Sequence, residues 1–297
     1  MSEMATETAE TGTESTTGLH AVLGHERQSA LLGYALYGVA GLLLVFLWIP
    51  LLVMIFLSFA QNSSTLFPFR GFTLEHYVAT LADAGLMGSL AYSVQIATIS
   101  AVIATTLGVL ASFALARYEF PYKELYRTFG ILPMVIPGVV LGIALLIFFQ
   151  TLLGLSTGFW TIVATHSVYG FPFVLLIVTA RMYTFDTALE EAARDLGADP
   201  LTVFRDVTFP VLAPAIGAGF LFAWIRSFED FIRAFFVSGI ENPLTVSMFA
   251  MIKYGTAPKM NAISSLIVLV IAVVLAVAMN VGNVTQYVAG TEESADE

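Results

Sequence analysis

The sequence predicts an all-α, polytopic membrane protein with six transmembrane helices, and three observations carry that prediction. Of its 297 residues, 58% are hydrophobic and only 11% are charged, whereas soluble domains carry about a quarter charged residues. No Asp, Glu, Lys or Arg occurs between Arg27 and Arg70, or from Thr128 to Ala180, and a run of about 20 apolar residues suffices to span a bilayer. Short polar stretches containing Gly, Pro and most of the charge separate these runs, as loops do.

Residues 1–27 are rich in Thr, Glu, Ser and Gly, a composition expected to be disordered. They lack the basic start and immediate apolar core of a signal peptide, so the first hydrophobic segment is expected to be a retained anchor opening a transmembrane domain over 28–288. That first span runs from Leu31 to Ala60, with Pro50 inside it. A polar loop, Gln61 to Asp83, ends in the run F-T-L-E-H-Y. The second span, Gly88 to Ala116, carries Ser89, Ser93, Thr98, Ser100, Thr105, Thr106, Gly108 and Ser112; small residues let membrane helices approach closely, which predicts a central position. Arg117 to Arg127 is a charged connector. Thr128 to Ala180 is too long for one span and divides at Gly154, Ser156, Thr157 and Gly158, with Pro133, Pro137 and Pro172 marking bends. A fifth apolar segment covers Val211 to Gly239. A polar loop from Ile240 to Asn261, with a short helix over Met248–Tyr254, leads to a last span from Ala262 to about Tyr287. Residues 289–297 form an acidic tail.

Between the fourth and fifth spans lies a polar island, Thr187 to Pro214. Thr187 followed by Glu190 is a capping-box signature, and Ala188, Leu189, Ala192, Ala193 and Leu196 recur at helical spacing opposite Glu190, Glu191, Arg194 and Asp195. Gly197 suits the left-handed closing position of that helix, and Asp199 with Pro200 is a cap followed by a first-turn proline. A second short helix should follow, with Leu201, Phe204 and Val207 on one side and Pro210 limiting its length. Basic residues set the orientation: with the N-terminus inside, Arg27, Arg117, Lys123, Arg127, Arg181, Arg194 and Arg205 fall inside, against Arg70, Lys253 and Lys259 outside. Both termini and the island are therefore expected on the cytoplasmic side of the cell membrane.

The island resembles a known family. Glu191-Ala192-Ala193, three residues, Gly197, nine residues, Val207, one residue, Phe209 and Pro210 is similar to the EAA loop of type I ABC-importer permeases, and the chain from Phe72 to the last hydrophobic segment is most similar to permeases of the spermidine/putrescine type. The resemblance implies that the loop at about 184–213 is a cytoplasmic coupling helix-turn-helix, with Glu190, Glu191, Ala192, Ala193, Gly197, Val207 and Pro210 meeting an ATPase subunit. It also implies a second permease subunit, identical or different, and an extracellular solute-binding protein.

Within the fifth segment, Arg226, Glu229, Asp230 and Arg233 are three or four residues apart and would share one helix face. Charges inside a bilayer are costly and normally face a partner or an aqueous cavity, so the four are candidates for a translocation path or gate. In polyamine-type permeases the corresponding stretch resembles S-x-D-D. Glu229 and Asp230 match it, whereas Arg226 and Arg233 depart from it and are compatible with a less cationic, or anionic, solute.

The formal net charge of -10 argues against nucleic-acid binding, and the acidic, lysine-poor balance is also compatible with a high-salt cytoplasm. Cysteine is absent, excluding disulfides and thiolate chemistry. His20, His25, His76 and His166 share no metal-ligand spacing; His166, alone in the fourth span, reads as a hydrogen-bonded packing residue. Phe148, Phe149, Trp160 and Trp224 read as lipid-facing or interfacial. No G-x-x-x-x-G-K-[ST] loop occurs, so no cofactor is expected in this chain and ATP would be bound by a partner subunit; the chain is not read as an enzyme. The competing reading is an ion-coupled secondary transporter or channel with Glu229 and Asp230 as its ion site.

Overall fold

The computed structural model describes residue 34 and residues 36–62, 69–254 and 257–281. The expected tails at 1–27 and 289–297, the segment from 282 to Tyr287, and His20 and His25 lie outside the described residues. Within them the chain is helical, and the extended structure is limited to one isolated bridge between Ala60 and Phe72. It forms two compact units, residues 1–76 with 261–297 and residues 77–260.

In the first unit, helix α1 (Leu36–Phe59) runs through Pro50. The chain then folds back on itself: Thr73 donates its N–H to the Phe59 carbonyl (2.7 Å), and the rings of Phe56, Phe69 and Phe72 meet with centroids 5.0–5.9 Å apart. A short α2 (Glu75–Leu81) leads out of this unit. Most of α12 (Ala257–Val281) also belongs to it and coincides with the last expected span.

The second unit starts where Asp83 caps α3 (Ala84–Arg117), its Oδ1 accepting from the Leu86 N–H. Lys259 reaches the other oxygen of Asp83 at 2.6 Å, and this bond, with the Leu86 N–H, holds the Asp83 carboxyl below its usual range. The connector after Arg117 is shorter than expected, because α4 begins at Lys123 and runs to Val135. Pro137 then opens α5 (Gly138–Ile147), which ends in a π-helical turn at Phe148–Leu152. The third expected span is thus not straight: α4 and α5 meet at 104°. A proline cannot donate to the preceding turn, and it drives the residue before it out of the α region; Ile136 is accordingly extended.

The fourth span is α6 (Phe159–Tyr183). It is followed by α7 (Ala188–Asp195), α8 (Pro200–Val203), a π turn (Phe204–Thr208), α9 (Phe209–Phe228), α10 (Ile232–Val237) and α11 (Leu244–Tyr254). The expected Ile240–Asn261 loop is therefore mostly helical. Ser93 anchors its start by accepting the Leu244 N–H at 2.7 Å. Among the described residues, four helices are long and apolar enough to cross a bilayer, and the bent α4–α5 pair counts as a fifth if it is one broken span. With α12, whose apolar described part is Pro258–Val273, these are compatible with six spans.

The helices α3, α6 and α9 form the centre of this unit. A side chain on Gly108 of α3 would lie 2.7 Å from Val174 of α6, and one on Gly219 of α9 would lie 3.2 Å from the same valine, so both glycines let a neighbouring backbone close onto Val174. Ser100 and Ser112 of α3 donate to the Val163 and Leu175 carbonyls of α6. The small residues therefore act as expected, but the central helix is α6. Its apolar window is 67% buried against 33% for α3, because α6 has α3 on one side and α9 on another. Phe149, expected at the lipid face, is instead buried in a cluster with Ile96, Ile162 and Val237.

Candidate functional site

The island takes the form of helix, glycine turn and helix, with Glu190 on its inner side and Leu189 and Leu196 outside. Thr187 is itself helical and makes no side-chain cap; Asp186 caps instead, accepting the Ala188 N–H at 2.9 Å. Glu190 is free to turn inward. Its two oxygens accept from both terminal nitrogens of Arg117, at 2.7 and 2.9 Å, and Oε1 also accepts from the Thr208 hydroxyl at 2.6 Å. Arg194 lies 3.6 Å away. One carboxylate thereby joins the end of α3, the island helix and the turn that leads into α9. The Arg117 guanidinium also lies over the Phe185 ring. Burial alone would push the Glu190 carboxyl up, but the Thr208 hydroxyl and the Arg117 guanidinium together hold it below its usual range.

With its acid inside, α7 presents its apolar residues outward. Leu189 is exposed, Leu196 is 90% exposed, and Leu201 of α8 is exposed as well; Glu191 and Ala192 are also exposed and Ala193 is half-buried. Gly197 stands at φ +89. It closes α7 in a Schellman motif, with Ala198 N–H bonded to the Ala193 carbonyl and Gly197 N–H to that of Arg194. A side chain at Gly197 would meet no atom within 4 Å, so the glycine is required by its backbone angle and not by crowding. Asp199 caps α8 through the Thr202 N–H at 2.7 Å, and the Thr202 hydroxyl together with that N–H holds the Asp199 carboxyl low.

The second short helix does not end near Pro210, as the sequence suggested. Pro200–Phe228 is one continuous helical length. The π turn at Phe204–Thr208 carries the hydrogen bonding across the register change, with Phe209 N–H reaching back five residues to the Phe204 carbonyl, and Pro210, which has no N–H to donate, follows directly after Phe209. Val203 and Thr208 are the inward residues here; Val207 is half-buried, and Leu201 and Phe204 are exposed. The island is thus rigidly continuous with a membrane helix.

The four charges of the fifth segment do not share one helix face. Helix α9 stops at Phe228, and Glu229 to Phe231 form a break before α10. Two ion pairs result, one on each side. Arg226 and Glu229 bond to each other and are 35% and 50% exposed. Asp230 and Arg233 are both buried and pair at 2.8 Å, with Asp230 also capping α10 through the Arg233 N–H. Tyr169 of α6 joins the two pairs: Arg226 donates to its hydroxyl, and the Arg233 guanidinium lies 3.4 Å from its ring centroid. Gly138 of α5 abuts that guanidinium. The Nε atoms of both arginines are buried without a partner among the described residues. One turn away, buried His166 shares a 2.8 Å hydrogen bond with Ser227, a packing role between α6 and α9.

Sequence reasoning named both clusters and missed what assembles them. Arg117 counted only towards orientation, Thr208 and Tyr169 carried no signal in the linear chain, and Ser227, the first position of the S-x-D-D resemblance, gave no sign of its partner. Their contacts join residues 18 to 73 positions apart.

Residues 104–287 match the family described as binding-protein-dependent transport system inner membrane component. Curated relatives include the spermidine/putrescine transport system permease protein PotC of Escherichia coli, 34% identical over 235 residues that cover 78% of this chain and 88% of that protein. The putrescine transport system permease protein PotI of the same organism is 33% identical, covering 77% and 84%. The molybdate/tungstate transport system permease protein WtpB of Pyrococcus furiosus is 31% identical, covering 67% and 74%. Among solved structures, a bacterial ABC transporter that imports alginate superimposes with a TM-score of 0.69 at 16% identity, covering 86% of this chain and 97% of that one. The MetNI methionine ABC transporter does so with a TM-score of 0.50 at 22% identity, covering 67% and 92%.

Proposed function

This chain belongs to the binding-protein-dependent transport system inner membrane components, permease subunits of ABC importers, and from that premise we propose that it passes a small organic cation of the polyamine class. Membership makes it a membrane transport subunit that works with a separate ATPase and a binding protein, and it sets aside the ion-coupled transporter reading. Substrate class rests on one observation, the 34% identity over 88% of the spermidine/putrescine permease PotC. Glu229 supports it, since it is the half-exposed carboxylate of the α9–α10 break and the one a passing cation could reach. Asp230, buried against Arg233, serves as the structural member of the cluster.

The outward apolar surface of Leu189, Leu196 and Leu201 is the natural seat for the ATPase, with Glu191 and Ala192 beside it. Glu190, Gly197, Val207 and Pro210 act from behind this surface by fixing its position. The excess of basic residues on the island side supports a cytoplasmic N-terminus, C-terminus and island. A second permease subunit, a further copy or a related chain, completes the path.

An oxyanion is the second reading. It is favoured by the unpartnered, buried Nε atoms of Arg226 and Arg233 and by the similarity to a molybdate/tungstate permease. Uptake of labelled spermidine, putrescine and molybdate by cells expressing the chain with its neighbouring transport subunits separates the two. Polyamine uptake that falls at least tenfold in Glu229→Gln, with normal assembly, is the expected result. Molybdate uptake without polyamine uptake would replace the cation reading with the oxyanion one.

A further inference from the structure

At the island end of the second unit, a cavity of 180 Å3 opens between the last turn of α3, the middle of α4 and the last turns of α6. Leu115, Arg127, Ile131, Leu176, Thr179 and Tyr183 line it. Its depth follows from the helix ends: Leu115 precedes the terminal Arg117 of α3, and Thr179 lies one turn before Tyr183, the last residue of α6. Charged residues resume at both helix ends, at Arg117 and Arg181, as they do where a span leaves the acyl chains for the headgroups.

Two polar groups in this apolar wall have unmet capacity. Thr179 is only 5% exposed, and its hydroxyl has no hydrogen-bond partner among the described residues. A helical threonine ordinarily donates to the carbonyl four residues back, as Thr98, Thr106 and Thr128 do here. For Thr179 that carbonyl belongs to Leu175, and it already accepts from Ser112 at 3.1 Å. Arg127 has as its acidic neighbour among the described residues only Glu124, at 3.9 Å, and the Glu124 side chain is 78% exposed. Such a loose, solvated pair is worth little and leaves most of the guanidinium donors available. Helix α4 buries none of its residues. It exposes Tyr126, Phe129 and Val135 beside Lys123 and Arg127, the composition of a helix lying in a membrane interface.

We propose that this cavity is a binding site for one anionic phospholipid. Its phosphate pairs with Arg127, an ester or phosphate oxygen accepts the Thr179 hydroxyl proton, and an acyl chain lies along Ile131 and Leu176. A free phosphate would have to shed water into a mostly apolar wall for a single arginine, whereas a lipid brings its own apolar body to cover that wall. The bound lipid would wedge the α4–α5 bend against α6. This site is independent of the transported solute and of the ATPase seat, so its failure leaves the proposed function standing.

The test uses the full-length chain in mild detergent with equal amounts of phosphatidylglycerol and phosphatidylcholine, read by native mass spectrometry. One phosphatidylglycerol should be retained with about a fivefold preference, the scale of one arginine near a charged surface. Arg127→Gln should abolish the preference and Arg127→Lys should keep most of it. Thr179→Val should weaken retention without changing the charge, and Arg205→Gln, an exposed arginine of the island, should change nothing. Equal retention of the two lipids by the unaltered chain would overturn the proposal, as would an equal loss of preference in Arg205→Gln. Displacement of the lipid by millimolar inorganic phosphate would mark a soluble-anion site and overturn the lipid assignment. Should Arg127→Gln fail to fold, the lipid preference of the unaltered chain with and without phosphate decides.

Discussion

Glu190→Gln removes the charge at the point where α3, α7 and the start of α9 meet. The Glu190 side chain is 7% exposed and that of its bidentate partner Arg117 is 26% exposed. Breaking a fully buried pair by removing one partner costs about 3–5 kcal/mol. Arg117 keeps access to water and the Phe185 face, and a glutamine can still accept from Thr208, so about 2 kcal/mol is the expected loss at neutral pH. Unfolding of the full-length chain in detergent measures it, in a cycle with Arg117→Met. The double variant should be less destabilised than the sum of the single ones by about 1–2 kcal/mol, since either change alone leaves a partner stranded. The pH dependence has a defined sign. The folded-state pKa of Glu190 is depressed below its reference value of 4.5, so its contribution is present above that value and is lost as pH falls through the folded pKa. Stability of the unaltered chain should therefore decline below about pH 4.5 more steeply than that of Glu190→Gln. Additive single changes together with matching pH profiles would refute the three-way joint.

Three further outcomes are expected. Gly197→Val should cost about 1–2 kcal/mol because a β-branched residue is forced to positive φ, whereas Gly197→Asn should be tolerated; uptake and transport-stimulated ATP hydrolysis of the assembled importer should fall together in the valine variant and survive in the asparagine one. Asp230→Ala strands the buried Arg233 charge and should destabilise the chain by about 3–5 kcal/mol, seen as a lowered unfolding midpoint, while Glu229→Gln leaves the midpoint within error. Because the chain has no native cysteine, a cysteine at Thr16 is the only thiol, and an impermeant maleimide should label it only after the membrane is opened; labelling of intact cells would reverse the proposed orientation.

Much of this protein was determined by its sequence alone, and for a plain physical reason. Whether a segment can lie in a bilayer depends on its own residues, so charge-free runs marked the apolar helices, and local chemistry marked the turn at Gly197 and the cap at Asp199. Tertiary structure decided the rest. Glu190 read as a residue meeting an ATPase subunit, because nothing local shows that Arg117, 73 residues earlier, and Thr208 wait on its inner side. The apolar residues of α7, which periodicity put opposite its charged ones, face outward as a consequence. The regular spacing of Arg226, Glu229, Asp230 and Arg233 suggested one continuous face, yet Tyr169 and the cap at Asp230 stabilise a break between them. Spacing along a chain fixes faces only while the helix continues. Whether it continues depends on how partners elsewhere in the chain satisfy its charges and backbone groups, and only the packed structure brings those partners together.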